Sequence, residues 1–204
     1  MAIPSTTDCP PYEAVILAGG QGSRMGHADK GLQLWQGTPL FRHAWRRLQQ
    51  QSCPPRRVWL SANRNEAIYA ASGLAILRDQ RDDFAGPLAG IEAALAAIDT
   101  DWLLCVPCDM PRLPAQLASR LFAAASDTIH AAYAVAAGQH QPVCCLIHRS
   151  QRASLRQALD QQQGKVMRWL DAAGAVPVAF PDAAPFINFN TLADLQDGPS
   201  SRHE

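Results

Sequence analysis

Residues 14–30, AVILAGGQGSRMGHADK, largely decide how the rest of the chain is interpreted. The first four residues are apolar and predict a short buried strand, which leads directly into a glycine-rich loop. Two cations, Arg24 and Lys30, lie in or just after that loop. Glycines let a backbone approach a ligand closely, and successive backbone N–H groups bind anions. The stretch therefore predicts a phosphate-binding loop, with glycines at Gly19, Gly20, Gly22 and Gly26.

This loop matches neither of the two commonest phosphate-binding motifs. The Walker A pattern needs Lys after its last glycine, whereas His27 follows Gly26. The dinucleotide fingerprint needs a third glycine where Met25 stands. A glycine-rich turn without a ligand is the alternative interpretation, and the two nearby cations favour phosphate binding over it.

Composition limits the class of protein. The chain has 204 residues, 48% of them hydrophobic, and a formal net charge of zero. These values predict one globular domain over residues 1–204, with an ordered core at about 13–196 and flexible termini. A neutral chain gives no reason to expect binding to nucleic acid or to a membrane surface. No apolar run reaches the roughly 18 residues of a membrane span, and no signal peptide is evident, so a cytoplasmic location is expected.

Six cysteines raise the question of redox or metal chemistry. Cys105 and Cys108 have the CxxC spacing of a redox or zinc half-site, but Cys144 and Cys145 are adjacent and do not supply a matching pair. Cys105 also lies within an apolar, strand-like run. We therefore expect free, buried thiols.

Short apolar runs alternate with helix-like segments along the first half of the chain. The runs lack a two-residue alternation, which is typical of strands buried on both faces. This order predicts an α/β fold with three layers, a mostly parallel sheet covered by helices on both faces. Strands are expected at 14–17, 58–60, 74–77, 102–106, 129–136, 143–147 and 176–180, and helices at 66–71, 86–98, 113–125, 151–162 and 165–173.

Three local predictions concern the segments between these elements. Thr38-Pro39 is expected to start the first helix, with Thr38 as the N-cap and Pro39 in the first turn. Residues 1–12 are expected to form a flexible arm, and residues 81–85 a polar, mobile loop.

Polar or glycine-rich residues follow four of the predicted strands, in the segments 18–26 and 61–64 and at Asp79 and Asp109. Ligands of such sheets bind outside the carboxyl ends of the strands, so these segments are expected to line one crevice. A carboxylate beside a phosphate site suits Mg²⁺, and Asp109 is the expected ligand. Lys30 and Arg24 would then neutralise a triphosphate, and the pattern predicts phosphoryl or nucleotidyl transfer. A capping or turn role is the alternative for either aspartate.

The motifs also resemble a known family. The residues that match the pattern LAGG-x-S-R-M-G-x-D-K resemble a signature shared by several nucleotidyltransferases. In order and spacing, the further motifs resemble molybdenum cofactor guanylyltransferase over about residues 14–195. Those motifs are SANR at 61–64, Asp79, GPLAG at 86–90, PCDMP at 107–111 and Asn188-x-Asn190-Thr191.

The resemblance implies a Rossmann-like nucleotidyltransferase fold and a specific reaction. GMP would pass from GTP to the terminal phosphate of molybdenum-loaded molybdopterin, with release of pyrophosphate. It also implies transient contacts with other cofactor-biosynthesis proteins and with apo-molybdoenzymes. GTP contacts are implied at Leu17, Ala18, Gly19, Lys30, Asp79 and Asp109, and Mg²⁺ binding at Asp109; Gly20, Gly22 and Asn63 are expected to join them, and Asn188 and Asn190 to face the pterin.

Other classes stay open on the sequence. Molybdopterin cytidylyltransferase and sugar-phosphate nucleotidyltransferases share much of the signature. A non-catalytic module that binds a nucleotide or delivers a cofactor could keep the glycine loop without a metal carboxylate. A thiol oxidoreductase would instead depend on Cys105 and Cys108.

Overall fold

A seven-stranded sheet forms the centre of the chain. The computed structural model describes residues 9–18, 29–79, 81, 86–190 and 194–195. The strands are β1 (Tyr12–Leu17), β4 (Val58–Ser61), β5 (Ala75–Leu77), β6 (Trp102–Pro107), β7 (Ala131–Ala136), β8 (Gln139–His148) and β9 (Val176–Phe180), and their order is β5-β4-β1-β6-β8-β7-β9. Only β8 runs antiparallel to its neighbours within this described sheet. The predicted, mostly parallel sheet is confirmed.

Helices cover both faces of this sheet. They are α1 (Leu40–Gln49), α2 (Glu66–Ala70), α3 (Pro87–Ala97), α4 (Leu117–Phe122), α5 (Arg152–Asp160) and α6 (Val166–Ala172). Side chains of α1, α2 and α4 pack with Ala14 and Ile16 of β1, whereas those of α3, α5 and α6 pack with Val15 and Leu17. Both faces of β1 are therefore buried, which explains the apolar run at residues 14–17. The three-layer α/β prediction is confirmed.

The prediction for Thr38-Pro39 is wrong. Thr38–Pro39 is a short strand, β3, which pairs with β2 (Leu34–Trp35), and α1 begins only at Leu40. Between the two strands, Gln36 and Gly37 both have positive φ, the backbone that a two-residue hairpin turn requires. The local turn therefore takes Thr38 and Pro39 into a hairpin. Helix α4 is also shorter than predicted, at Leu117–Phe122 instead of 113–125.

The prediction that residues 1–12 form a flexible arm is wrong for residues 9–12, which the structure describes. Tyr12 is the first residue of β1 and is buried, and its hydroxyl donates a hydrogen bond to the carbonyl oxygen of Cys53. Cys9 forms a disulfide with Cys53, although all six cysteines were expected to be free. The two are 44 residues apart, and only the placement of β1 beside the segment that follows α1 brings them together. Residues 1–8 are not among those described.

The remaining cysteines agree with the prediction of free, buried thiols. Cys105, Cys108, Cys144 and Cys145 are all unpaired and buried. Among the helices that the structure describes, none is long and apolar enough to cross a membrane.

Candidate active site

The carboxyl ends of β5, β4, β1 and β6 lie side by side at one edge of the sheet. Backbone hydrogen bonds continue past the strand ends: Ala18 N–H donates to Ser61 O at 2.9 Å, and Ala62 N–H donates to Leu77 O at 3.0 Å. On the other side of β1, Cys108 N–H donates to the carbonyl oxygen of Leu17 at 3.1 Å. The segments predicted to converge from these four strands therefore do so wherever the structure describes them.

The glycine loop itself lies outside the residues that the structure describes. Gly19, Gly20, Gly22 and Arg24 belong to it, so their roles stay predictions. The residues on either side of the loop are described. Ala18 is buried at the end of β1, and Asp29 opens a short 3-10 helix, Lys30–Leu32.

Lys30 and Asp109 form an ion pair in the centre of this edge. Lys30 Nζ lies 2.7 Å from Asp109 Oδ2, and Asp109 is only 9% exposed. The same ammonium group donates to Asn190 Oδ1. Asn190 is held there by the chain itself, because Phe189 N–H donates to the carbonyl oxygen of Asp109 at 2.9 Å. Two residues that are distant from Lys30 in sequence thus contact its ammonium group.

Burial alternates along the segment that carries Asn190. Phe189 is 1% exposed, whereas Asn188 and Asn190 on either side of it are exposed. The ring of Phe189 packs against Trp35, with a centroid separation of 5.0 Å, and the guanidinium of Arg112 lies over both rings. With Phe189 packed inward, Asn188 and Asn190 lie on the exposed side of this segment. Only Asn190 has a described contact with Lys30.

Asp29 is a positioning residue that the sequence motifs alone did not assign to the site. Its Oδ1 accepts hydrogen bonds from Gly31 N–H and the Tyr69 hydroxyl, and its Oδ2 accepts one from Asn65 Nδ2. Burial, and next the hydrogen bond to Asp29, raise the pKa of Tyr69, so its hydroxyl remains a donor at neutral pH. These bonds fix the turn that carries Lys30. The signal available was the position of Asp29, immediately before Lys30 in the signature.

Asn63 and Asp79 form a second polar pair, at the ends of β4 and β5. Asn63 Nδ2 donates to Asp79 Oδ2 at 2.6 Å, and Asp79 N–H donates to Asn63 Oδ1 at 2.9 Å. The other carboxylate oxygen, Oδ1, is buried and has no well-aligned hydrogen-bond partner among the described residues. Burial raises the pKa of Asp79, while interactions with Asn63 and Ser61 oppose the rise. A buried carboxylate oxygen without such a partner is an acceptor that a hydrogen-bond donor would stabilise.

Gly90 lets α3 approach the ends of β1 and β4. A Cβ at this position would lie 2.4 Å from Ser61 Oγ and 2.9 Å from a methyl carbon of Leu17. Neither separation is tolerable, so any side chain at position 90 would displace Ser61 and Leu17.

We expect Gly90→Ala to destabilise the protein by about 1–3 kcal/mol through overpacking and to weaken nucleotide binding. Thermal unfolding and a nucleotide titration measure the two effects. Helix propensity acts in the opposite direction and would stabilise the variant by about 1 kcal/mol. A variant that unfolds at a higher temperature than the parent would show that the close approach is unimportant.

The site contains carboxylates that could hold a metal ion. No group of three His, Cys, Asp or Glu side chains within metal-binding reach occurs among the described residues. Mg²⁺ is usually held by one or two carboxylates together with phosphate oxygens and water. Asp109, at the end of β6, is the candidate ligand.

Comparison with known proteins identifies the family. Residues 14–176 match the family described as "MobA-like NTP transferase domain". The molybdenum cofactor guanylyltransferase of Bordetella petrii is 44% identical over 190 residues, which cover 91% of this chain and 95% of the relative. That of Ralstonia nicotianae is 43% identical and covers 89% and 93%. The chain belongs to the molybdenum cofactor guanylyltransferase family. The resemblance seen in the sequence is confirmed.

Solved structures support the fold of this family. Molybdopterin-guanine dinucleotide biosynthesis protein A from Archaeoglobus fulgidus superimposes with a TM-score of 0.73 at 19% identity, over 91% of this chain and 96% of that one. At this identity the likeness concerns the fold, and it agrees with the Rossmann-like, three-layer prediction.

Thiol chemistry receives no support from the cysteines of this family member. Burial raises the pKa values of Cys105 and Cys108 above the ordinary thiol range. The thiolate is the reactive form of cysteine, and a raised pKa removes it at neutral pH. We therefore interpret Cys105, in β6, and Cys108, just after β6, as packing residues.

Proposed function

We propose that this protein transfers GMP from GTP to the terminal phosphate of molybdenum-loaded molybdopterin, giving the guanine dinucleotide cofactor and pyrophosphate. The observation that carries the proposal is the contact between Lys30 and Asp109 at the carboxyl ends of β1 and β6, in a chain whose relatives bear this activity in their names. A cation and a carboxylate at this edge fit a triphosphate and its metal ion.

The reaction exchanges one phosphorus–oxygen bond for another. An oxygen of the acceptor phosphate attacks the α-phosphorus of GTP, the bond between that phosphorus and the bridging oxygen to the β-phosphate breaks, and pyrophosphate leaves. The acceptor is a phosphate monoester, which is largely dianionic at pH 7 because its second pKa is about 6. Its attacking oxygen therefore needs no general base.

Lys30 would bind the phosphates and hold them in line for attack. Its ammonium is oriented by Asp109 and Asn190, so little reorganisation is required when negative charge develops on the leaving group. Arg24 is proposed to add a second cation from the glycine loop. Mg²⁺ held by Asp109 would supply further charge neutralisation.

The nucleoside would lie over β4 and β5, where Asn63 and Asp79 meet. Guanine carries N–H donors at N1 and N2, and the unpartnered Oδ1 of Asp79 is an acceptor suited to one of them. Leu17, Ala18 and the glycine loop would adjoin the phosphates at the end of β1. The acceptor would then approach from the side of Asn188 and Asn190.

Turnover with a panel of nucleotides tests the proposal. The purified protein is incubated with Mg²⁺, molybdenum-loaded molybdopterin and GTP, CTP, ATP or UTP, and dinucleotide formation is followed by chromatography. We expect product with GTP and little with the others. A preference for CTP would replace the proposal with cytidylyl transfer, and binding of GTP without any product would indicate a nucleotide-binding module.

Asp79→Asn is expected to lower the affinity for GTP by about 10- to 100-fold, the effect of losing a hydrogen bond to a charged acceptor. In this variant, Asn63 Nδ2 would still donate to the amide oxygen of the new asparagine. The NH₂ group of that asparagine would then face the N–H donors of guanine, and two donors cannot form a hydrogen bond with each other. The affinity for inosine triphosphate, which lacks the 2-amino group, should fall less.

Isothermal titration with both nucleotides measures this difference. Asp182→Asn is the matched control, because Asp182 is an exposed aspartate that accepts a hydrogen bond from Ala184 N–H just after β9, at the opposite end of the strand order from β5. Unchanged GTP affinity in the Asp79 variant would exclude a base contact at this carboxylate.

A further inference from the structure

Arg81 is held by carboxylates from two different helices. Its Nε and one terminal nitrogen donate to the two oxygens of Glu92 on α3, at 2.8 and 3.1 Å. The terminal nitrogen also lies 2.9 Å from Asp160 Oδ1 at the end of α5. The sequence predicted a mobile polar segment from residue 81 onward. Arg81 does not fit that prediction, and residues 82–85 are outside the described part of the chain.

This ion pair differs from an ordinary surface pair. The side chains of Arg81 and Glu92 are 21% and 14% exposed, so both are partly buried. The contact is also bidentate, which fixes orientation as well as distance. Arg78, three residues earlier, provides a contrast: it pairs with Glu66 through a side chain that is 73% exposed. Such exposed pairs contribute little.

Arg81 follows Asp79 by only two residues. On the β4 side, Asn63 holds both the backbone N–H and the carboxylate of Asp79. On the α3 side, Arg81 ties the same short stretch of chain to Glu92. Side-chain contacts therefore hold the chain at Asp79 and again at Arg81. The Oδ1 atom of Asp79 is the oxygen proposed above to accept a hydrogen bond from guanine. Arg81 also neutralises Glu92, whose negative charge otherwise acts to raise the pKa of Asp79.

We propose that Arg81 is a positioning residue for nucleotide selection, which holds the chain at Asp79 in place by clamping it to Glu92 and Asp160. The proposal rests on the function inferred above. Arg81 would not touch the reacting atoms; it would act on GTP only through Asp79. Its loss should therefore affect GTP binding and leave the phosphate chemistry at Lys30 and Asp109 intact.

Steady-state kinetics with Arg81→Met tests this role, because methionine keeps the aliphatic bulk and removes the charged fork. We expect the KM for GTP to rise about tenfold, as expected when a binding group is misplaced. The kcat and the KM for molybdopterin should change less than twofold. Arg78→Met, the control, should leave all three values unchanged.

A second variant covers the case in which Arg81→Met does not fold. Arg81→Lys keeps one charge but cannot bind Glu92 through two parallel hydrogen bonds, so the KM for GTP should still rise while the thermal midpoint stays near that of the parent. Equal KM values for GTP in the folded Arg81 variants and the parent would overturn the proposal. A fall in kcat together with a rise in both KM values would also overturn it, because a general structural defect produces that pattern.

The parent protein separates this test from that of the function. If the parent binds GTP no better than CTP, the proposed guanylyl transfer fails and the role of Arg81 in it fails with it. If the parent prefers GTP and the Arg81 variants bind it equally well, only the role of Arg81 is excluded.

Discussion

Replacement of Asp109 by asparagine is expected to lower kcat by at least about 10³-fold, a loss typical of removing a principal electrostatic group from a transfer site. Asparagine keeps the size of the side chain but removes the negative charge that would hold Mg²⁺. It also removes the ionic partner of Lys30. The backbone bond from Phe189 N–H to the carbonyl oxygen of residue 109 does not involve the side chain and should remain.

The same strand provides a matched control for this variant. Asp101 immediately precedes β6 at the opposite end, where its carboxylate pairs with Arg149 at 3.8 Å and is well exposed. Asp101→Asn should leave pyrophosphate release unchanged. Near-normal pyrophosphate release by a folded Asp109→Asn variant would exclude Asp109 as the metal ligand.

Lys30→Met is expected to reduce kcat/KM for GTP by about 10²- to 10³-fold, because its ammonium is proposed to stabilise charge on the phosphates in the transition state. The chain has 18 cationic side chains, and only Lys30 and Lys165 among them are lysines. A compact ammonium fits between Asp109 and Asn190, whereas a planar guanidinium would need a wider space and different partners. We therefore expect Lys30→Arg to have low activity, as Lys30→Met does.

Lys165→Met is the control for this experiment, since Lys165 is exposed at the start of α6. Thermal unfolding of Lys30→Met should show a loss of about 1–3 kcal/mol, because the largely buried Asp109 carboxylate loses its cationic partner. Unaltered GTP affinity and turnover in Lys30→Met would remove the proposed phosphate contact. Full activity in Lys30→Arg would show that any cation suffices.

The sequence predicted those parts of the fold that depend on local pattern. The apolar run at residues 14–17 indicated a strand buried on both faces, and the polar residues after β4, β5 and β6 indicated one shared edge. The start of α1 was misplaced because Gln36 and Gly37 adopt a hairpin turn. Positive φ is uncommon for glutamine, so the residue type at position 36 did not indicate this turn. The disulfide between Cys9 and Cys53 depends on tertiary placement.

The site was predictable by residue type more than by contact. Lys30, Asp79 and Asp109 were chosen from their positions beside a glycine loop and at strand ends. The bond between Lys30 and Asn190 joins residues 160 positions apart, so no local pattern could reveal it. Arg81 was missed for a similar reason, because its partners lie on α3 and α5 and its neighbours in sequence are polar.

Transfer of label from GTP tests the central claim most directly. The protein is incubated with Mg²⁺ and molybdenum-loaded molybdopterin, and with GTP that carries ³²P at either the α- or the γ-phosphate. We predict that the α-label appears in the molybdopterin dinucleotide and that the γ-label appears only in pyrophosphate. Absence of α-label from the dinucleotide, with GTP bound and the acceptor intact, would contradict guanylyl transfer by this protein.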